Sequence, residues 1–260
     1  MIADWIIPNW PAPRHVRAVC TTRAGGCSKV PYDSLNLGDH VGDEAANVAQ
    51  NRAILQRHIV ARPVFLKQVH GTHVSSLPVA PGQSTEADGC ITQSSGMACT
   101  IMVADCLPVL FTNRLGNLVA AAHAGWRGLA GAGGVGILEA VWQAIESSAP
   151  AAESSEILAW LGPCIGASKF EVGDEVREAF VSHHAAAMSL FKPLGHRKWL
   201  ADLQGLARLR LQDLGVTQIF GNDGTSAWCT VSQPSRFFSH RRDHLAMGGS
   251  GRMGACIWLD

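Results

Sequence analysis

Apolar residues along this chain gather in short, nearly continuous runs, punctuated by glycine, proline and polar turns. Thr100–Ala104 and Leu118–Ala122 are almost wholly apolar, the pattern of strands buried on both faces. Val16–Thr22 and Val64–His70 read as further strands, as do Ile157–Leu161, Gln218–Gly221 and Ala255–Leu259. Between them the period changes. Val48, Leu55 and Ile59 share one helical face between about Asp43 and Ile59, and Val135, Leu138, Trp142 and Ile145 predict a helix from about Gly128 to Ser147. Glu171–Leu190 is also helical in pattern. A further helix is framed by Asp202 as cap, Leu203, Leu206 and Leu214 on the inner face, and Gly215 as terminator. Strands and helices do not alternate strictly, so an α+β layered sandwich with mixed strands fits better than a doubly wound sheet. No linker or repeat divides the chain, and it is read as a single domain over residues 1–260.

Composition narrows the function. With 260 residues, 47% hydrophobic and 16% charged, the chain can bury a sizeable core. Its 21 basic and 21 acidic side chains cancel, which leaves no electrostatic footprint for nucleic acid or an acidic membrane. The expected partner is a small molecule or a modest protein surface. The first residues lack the basic and long apolar regions of a signal peptide, and no apolar run reaches the roughly 20 residues of a spanning helix. A cytoplasmic location is therefore expected. The eight cysteines then read as thiols, ligands or a nucleophile rather than disulfides. Oligomeric state is left open.

Three of the predicted strands end on chemistry. Val64–His70 ends on an imidazole, Thr100–Ala104 leads into Asp105 and Cys106, and Leu118–Ala122 leads into His123, followed by the turn Ala124-Gly-Trp-Arg-Gly128. A catalytic zinc takes three nitrogen or sulfur ligands and keeps a fourth position open, so His70, Cys106 and His123 are candidate ligands. The same atoms also suit Cys106 as a nucleophile with His70 or His123 as its base. Residue types alone leave both arrangements open beside ordinary packed side chains.

The ordered motifs Thr21-Thr-Arg-Ala-Gly-Gly26, Leu35-Asn-Leu37, Lys67-Gln-Val-His-Gly71, Ala87-Asp-Gly89, Ala104-Asp-Cys-Leu-Pro-Val109, Ala122-His-Ala-Gly-Trp-Arg-Gly128, Leu161-Gly-Pro-Cys-Ile165 and Phe237-Phe-Ser-His-Arg-Arg-Asp243 span nearly the whole chain. Together they closely resemble the YfiH family, also called the laccase-domain or polyphenol-oxidase-like family. That resemblance implies an α/β/β/α sandwich and a catalytic zinc held by His70, Cys106 and His123. It further implies phosphorolysis of adenosine, inosine, guanosine and methylthioadenosine, and deamination of adenosine to inosine. Under it, backbone amides near Gly125 and Gly128 are expected to cradle phosphate, with Arg23, Arg127 or Arg241 supplying charge. His240 and Asp243 are candidates for ribose contacts or proton relay, and Asp105 for orienting a ligand histidine. His73, the His183-His184 pair and Cys164 are weaker candidates. Two rivals accompany this reading. One is a Cys106 hydrolase that edits peptidoglycan precursors. The other is a copper polyphenol oxidase, which the 11 histidines serve poorly because no His-X-His or His-Cys-His occurs.

Overall fold

The computed structural model of the chain describes residues 4–79, 86–148 and 156–260. Two sheets form its centre. The first runs in the order β1 (Val16–Cys20), β13 (Met253–Leu259), β5 (Met97–Val103) and β2 (Arg62–Phe65), antiparallel except for the β5–β2 pair. The second runs β12 (Gln218–Gly221), β8 (Ile157–Leu161), β6 (Leu107–Asn113), β7 (Val119–Ala124), β4 (Gly89–Thr92) and β3 (Val74–Ser76). It is antiparallel in the middle and parallel at both edge pairs.

Alternation along the strands sorts side chains into layers. Cys99, Ile101, Val103, Ala255 and Ile257 of the first sheet pack against Leu110, Val119, Ala121 and Trp160 of the second. On the outer face of the first sheet, Ala98, Met102, Cys256 and Trp258 meet Leu55 and Ile59 of the region around α1 (Ala45–His58). Phe111, Ala120, Ala122 and Leu161 turn the other way, toward Leu138, Val141 and Ile145 of α3 (Ile137–Ser148) and Leu206 and Leu211 of α5 (Leu203–Asp213). The order is helix, sheet, sheet, helix, the α/β/β/α sandwich that was expected. A smaller antiparallel sheet of β10 (Phe191–Gly195), β11 (Lys198–Ala201) and β9 (Glu171–Gly173) adjoins α4 (Asp174–Val181).

Several elements depart from the sequence pattern. The helix expected over Gly128–Ser147 divides into α2 (Trp126–Ala130) and α3. Gly131 adopts φ +64, and a Cβ on Gly136 would stand 2.1 Å from the Leu129 carbonyl oxygen, so the chain must turn here rather than coil on. Glu171–Leu190 begins as β9, continues as α4 and ends in a short 3₁₀ turn at Ala185–Leu190. The framed helix is as read: Asp202 accepts a 2.8 Å hydrogen bond from Gly205 N, and Gly215 follows the end with φ +82. β6 escaped the sequence reading because Pro108, normally a mark against a central strand, sits at its second position. β2 ends at Phe65, so His70 lies on a loop rather than at a strand end.

Candidate metal centre

His123 belongs to β7, with the same parity as Val119 and Ala121, so its side chain points into the gap between the sheets. Cys106 arrives from the neighbouring layer, three residues beyond the end of β5. His70 comes from the loop after β2. Gln68 pins that loop: its side-chain amide donates to Met102 O and accepts from Met102 N, both at 2.8 Å, extending the β2–β5 pairing with a side chain in place of backbone. The donor atoms of His70, Cys106 and His123 all lie within 4.8 Å of one another, and they are the only such group of three or more among the described residues. Cys106 Sγ is 3.7 Å from His70 Nε2, and the two imidazoles meet edge to face at 4.8 Å. Two nitrogens and one sulfur converging on one point fit a metal that accepts both donor types and keeps one position open.

Asp88 organises the cluster. Fully buried between Ala87 and Gly89, its carboxylate accepts hydrogen bonds from Val69 N at 3.1 Å, His70 N at 2.9 Å and Gly71 N at 2.7 Å. It also accepts from His123 Nδ1 at 2.7 Å. That bond fixes the proton of His123 on Nδ1 and leaves Nε2 free for a ligand. Burial by itself would raise the Asp88 pKa; the bonds from His123, Gly71 and Val69 outweigh it and hold the carboxyl below its ordinary value. The His70 loop, bent through φ +61 at His70 itself, is therefore tied to the same carboxylate as His123.

The thiol and imidazole shift together. Burial opposes ionisation of Cys106, but the neighbouring His123 and His70 imidazoles prevail and bring the thiol down to about 6. Burial likewise disfavours charge on His123, yet the Cys106 thiolate and Asp88 raise it to about 9. Without a metal the pair is thus a thiolate beside an imidazolium.

The triangle opens into a cavity of about 480 Å³. Its apolar side carries Trp126, Ile165, Phe170 and Leu203, and its basic side carries His240, Arg127, Arg241 and Arg252. No carboxylate among the described residues pairs with any of these three arginines. Arg127 is exposed and stacks 4.4 Å from the Trp126 ring, and Arg241 donates to Glu171 O at 3.1 Å. Burial and the nearby Arg252 push the His240 imidazole below its usual value.

Of the other candidates, only Asp105 lines the cavity. Arg23 does not line this cavity; it is held by Asp33 and Pro234 O and lies over the Phe238 ring. Gly125 and Gly128 are not among the residues that line it, although Trp126 and Arg127, the first residues of the helix that Gly125 caps, are. The role of the two glycines is spatial: a Cβ on Gly125 would stand 2.8 Å from His70 Cδ2 and 2.9 Å from Cys106 Sγ, and one on Gly128 would stand 2.8 Å from Gly71 O. Asp105, expected to orient a ligand histidine, instead accepts from Thr230 Oγ1 at 2.5 Å and from Arg241 N at 2.6 Å, so it positions the arginine turn. Asp243 is turned away, paired with Arg242 at 2.6 Å. His184 pairs with Asp213, His73 is exposed outside the cavity, and Cys164 is a buried thiol. Asp88, Gln68 and Arg252 carried no assigned role in the sequence reading.

Fold and site together define a two-sheet α/β protein with a His-Cys-His set of candidate metal ligands, exposed at His70 and buried at His123, at the mouth of its inter-sheet gap. The chain belongs to the family described as multi-copper polyphenol oxidoreductase laccase, whose model matches residues 17–260. It is 48% identical over 257 residues to purine nucleoside phosphorylase YfiH of Escherichia coli, covering 98% of both chains. It is 46% identical over 256 residues to purine nucleoside phosphorylase PA4543 of Pseudomonas aeruginosa, again with 98% of both covered. Among solved structures, protein NMB0706 of Neisseria meningitidis superimposes with a TM-score of 0.89 at 44% identity, covering 99% of both chains. YlmD of Geobacillus stearothermophilus does so with a TM-score of 0.79 at 32% identity, covering 95% of this chain and 92% of that one.

Proposed function

We propose that the chain is a zinc-dependent purine nucleoside phosphorylase that also deaminates adenosine, working in the cytoplasm. The observation that carries this reading is the convergence of His70, Cys106 and His123 at a cavity whose other polar wall is three arginines unpaired with carboxylates. Its substrates would be adenosine, inosine, guanosine and methylthioadenosine together with phosphate, in keeping with the names of the relatives from E. coli and P. aeruginosa.

Phosphorolysis forms a bond from a phosphate oxygen to the ribose C1′ and breaks the C1′–N9 bond; the purine leaves with the electron pair and takes up a proton. The arginine wall, with Arg127 and Arg241 at its rim, holds the anion against C1′. Trp126, Ile165, Phe170 and Leu203 exclude water around the base. The neutral imidazole of His240 offers a donor and an acceptor to ribose hydroxyls. Deamination replaces the C6 amino group of adenosine with oxygen from water and releases ammonia, which needs no phosphate. Zinc held by His70, Cys106 and His123 would supply Lewis acidity at its open position.

A second reading rests on one specific contact. The Cys106 thiol, brought down to about 6 and lying 3.7 Å from His70 Nε2, has the makings of a nucleophile–base pair. Such an enzyme would be a metal-independent hydrolase, for which a peptidoglycan precursor is the candidate substrate. A polyphenol oxidase with several coppers is less well served, because the described residues hold a single three-donor group.

The test is chromatography of products from adenosine and inosine, with and without phosphate and with and without a chelator. Free base that requires phosphate, inosine from adenosine without phosphate, and loss of both on chelation support the proposal. Turnover of a cell-wall precursor that survives chelation, with no purine product, would replace it by the thiol hydrolase.

A further inference from the structure

Arg252 reaches the cavity through strand register. Met253, the first residue of β13, is opposite Val103, the last of β5. Antiparallel pairing therefore sets Arg252 beside the Ala104–Cys106 turn. The Leu35–Leu37 motif, to which the metal centre gives no role, seats it. Asn36 Oδ1 accepts from Arg252 N at 2.8 Å and from Gly38 N at 2.9 Å, while Asn36 Nδ2 donates to Gly38 O at 3.0 Å. The Arg252 stem lies on Gly38 so closely that a Cβ there would stand 2.8 Å from Arg252 Cγ. At the far end, Nη1 donates to Ser250 O at 2.9 Å and Gly251 O at 3.1 Å. Nε and Nη2 make no hydrogen bond to another described residue. The chain thus fixes one corner of a guanidinium that lines the cavity and leaves its two-donor edge, Nε and Nη2, without a protein acceptor among the described residues.

Asp105, the carboxylate that lines the cavity with Arg252, is already engaged by Thr230 Oγ1 and Arg241 N, and a half-buried cation with no ion-pair partner is costly unless an anion completes it. Arg127 is exposed and stacked on Trp126, and Arg241 already spends a donor on Glu171 O. We propose that Arg252 is the residue that anchors the attacking phosphate, with Nε and Nη2 gripping two of its oxygens as a fork. This rests on the phosphorylase reading above. In that reading the fork holds phosphate while one of its remaining oxygens bonds to C1′ and the C1′–N9 pair departs with the purine.

Calorimetric titration of inorganic phosphate into the metal-loaded enzyme tests the assignment. Arg252→Met should weaken phosphate binding about 10- to 100-fold, with metal content and melting temperature unchanged. Arg252→Lys, which restores charge without the fork, should fall between it and wild type, and Arg127→Met should lose less than Arg252→Met. Gly38→Ala serves should Arg252→Met fail to fold: it keeps the guanidinium but displaces its stem, and should also weaken phosphate. Wild-type affinity in both Arg252→Met and Gly38→Ala, or a greater loss in Arg127→Met, would overturn the assignment. Phosphate-dependent base release with an unaltered phosphate KM in Arg252→Met would overturn it while leaving the enzyme reading intact. A wild type that binds no phosphate and releases no base would overturn both.

Discussion

Asp88→Asn removes one charge and hardly any volume from the residue that ties the two histidines together. In the native protein Oδ1 accepts from His70 N and His123 Nδ1, and Oδ2 accepts from Val69 N and Gly71 N. An asparagine keeps one acceptor oxygen and gains an NH₂ group. If the oxygen stays with His123, the new donor faces two backbone N–H groups, Val69 and Gly71. If the amide flips, it faces His70 N and His123 Nδ1 instead. Either way two donors lose their acceptor, which costs about 2–4 kcal/mol of stability. The His70 loop is freed and His123 loses its fixed tautomer, so metal affinity should fall about 10- to 100-fold. Urea unfolding of the metal-free protein measures the first effect, and competition with a chromophoric chelator at fixed pH measures the second. Metal affinity within two-fold of wild type in Asp88→Asn would refute the view that this carboxylate builds the site.

Alkylation of metal-free protein by iodoacetamide should show one fast thiol, Cys106, whose rate rises through a midpoint near pH 6 and is suppressed by bound metal; a midpoint near 9 would contradict the thiolate assignment. The sign for stability follows: the depressed thiol contributes stability above its unfolded pKa that is lost as pH falls through about 6, whereas His123, raised to about 9, contributes below 6.5 and loses its share as pH rises through 9. A pH scan of the metal-free melting temperature should therefore show a plateau between those limits that Cys106→Ala abolishes. Gly125→Ala places a methyl against His70 and Cys106 Sγ, so it should empty the metal site while circular dichroism stays native. Arg210→Met strands the carboxylate of Glu139, 2.6 Å from the guanidinium and largely buried with it. It should cost about 3–5 kcal/mol in urea unfolding with metal stoichiometry unchanged.

The layers were legible because continuous apolar runs mark strands buried on both faces, as in Met97–Val103, and a 3.6-residue period marks a helix that buries one face, as in Ile137–Ser148. Boundaries failed where a tertiary demand overrode local pattern. Val69 continues the apolar run toward His70, but Gln68 and Asp88 pull that stretch off the strand and into a loop. The glycines between Ala130 and Ile137 signalled the break in the expected helix, and the apolar spacing of Val135 with Leu138 masked it. Of the site, the three ligand candidates stood out as reactive side chains next to apolar runs. Asp88 and Arg252 did not: a lone aspartate in Ala-Asp-Gly reads as a turn, and a lone arginine before a strand reads as surface. Only the pairing of distant strands brings them to the metal ligands.

Under the proposed function, His70, Cys106 and His123 hold the zinc on which phosphate-dependent cleavage depends. Metal content and hypoxanthine release from inosine, measured on the same samples of wild type and Cys106→Ala, test it most directly. Stoichiometric zinc with phosphate-dependent release in wild type, and loss of both in a folded Cys106→Ala, is the predicted result. Full release by Cys106→Ala, or release by zinc-free wild type, would contradict it.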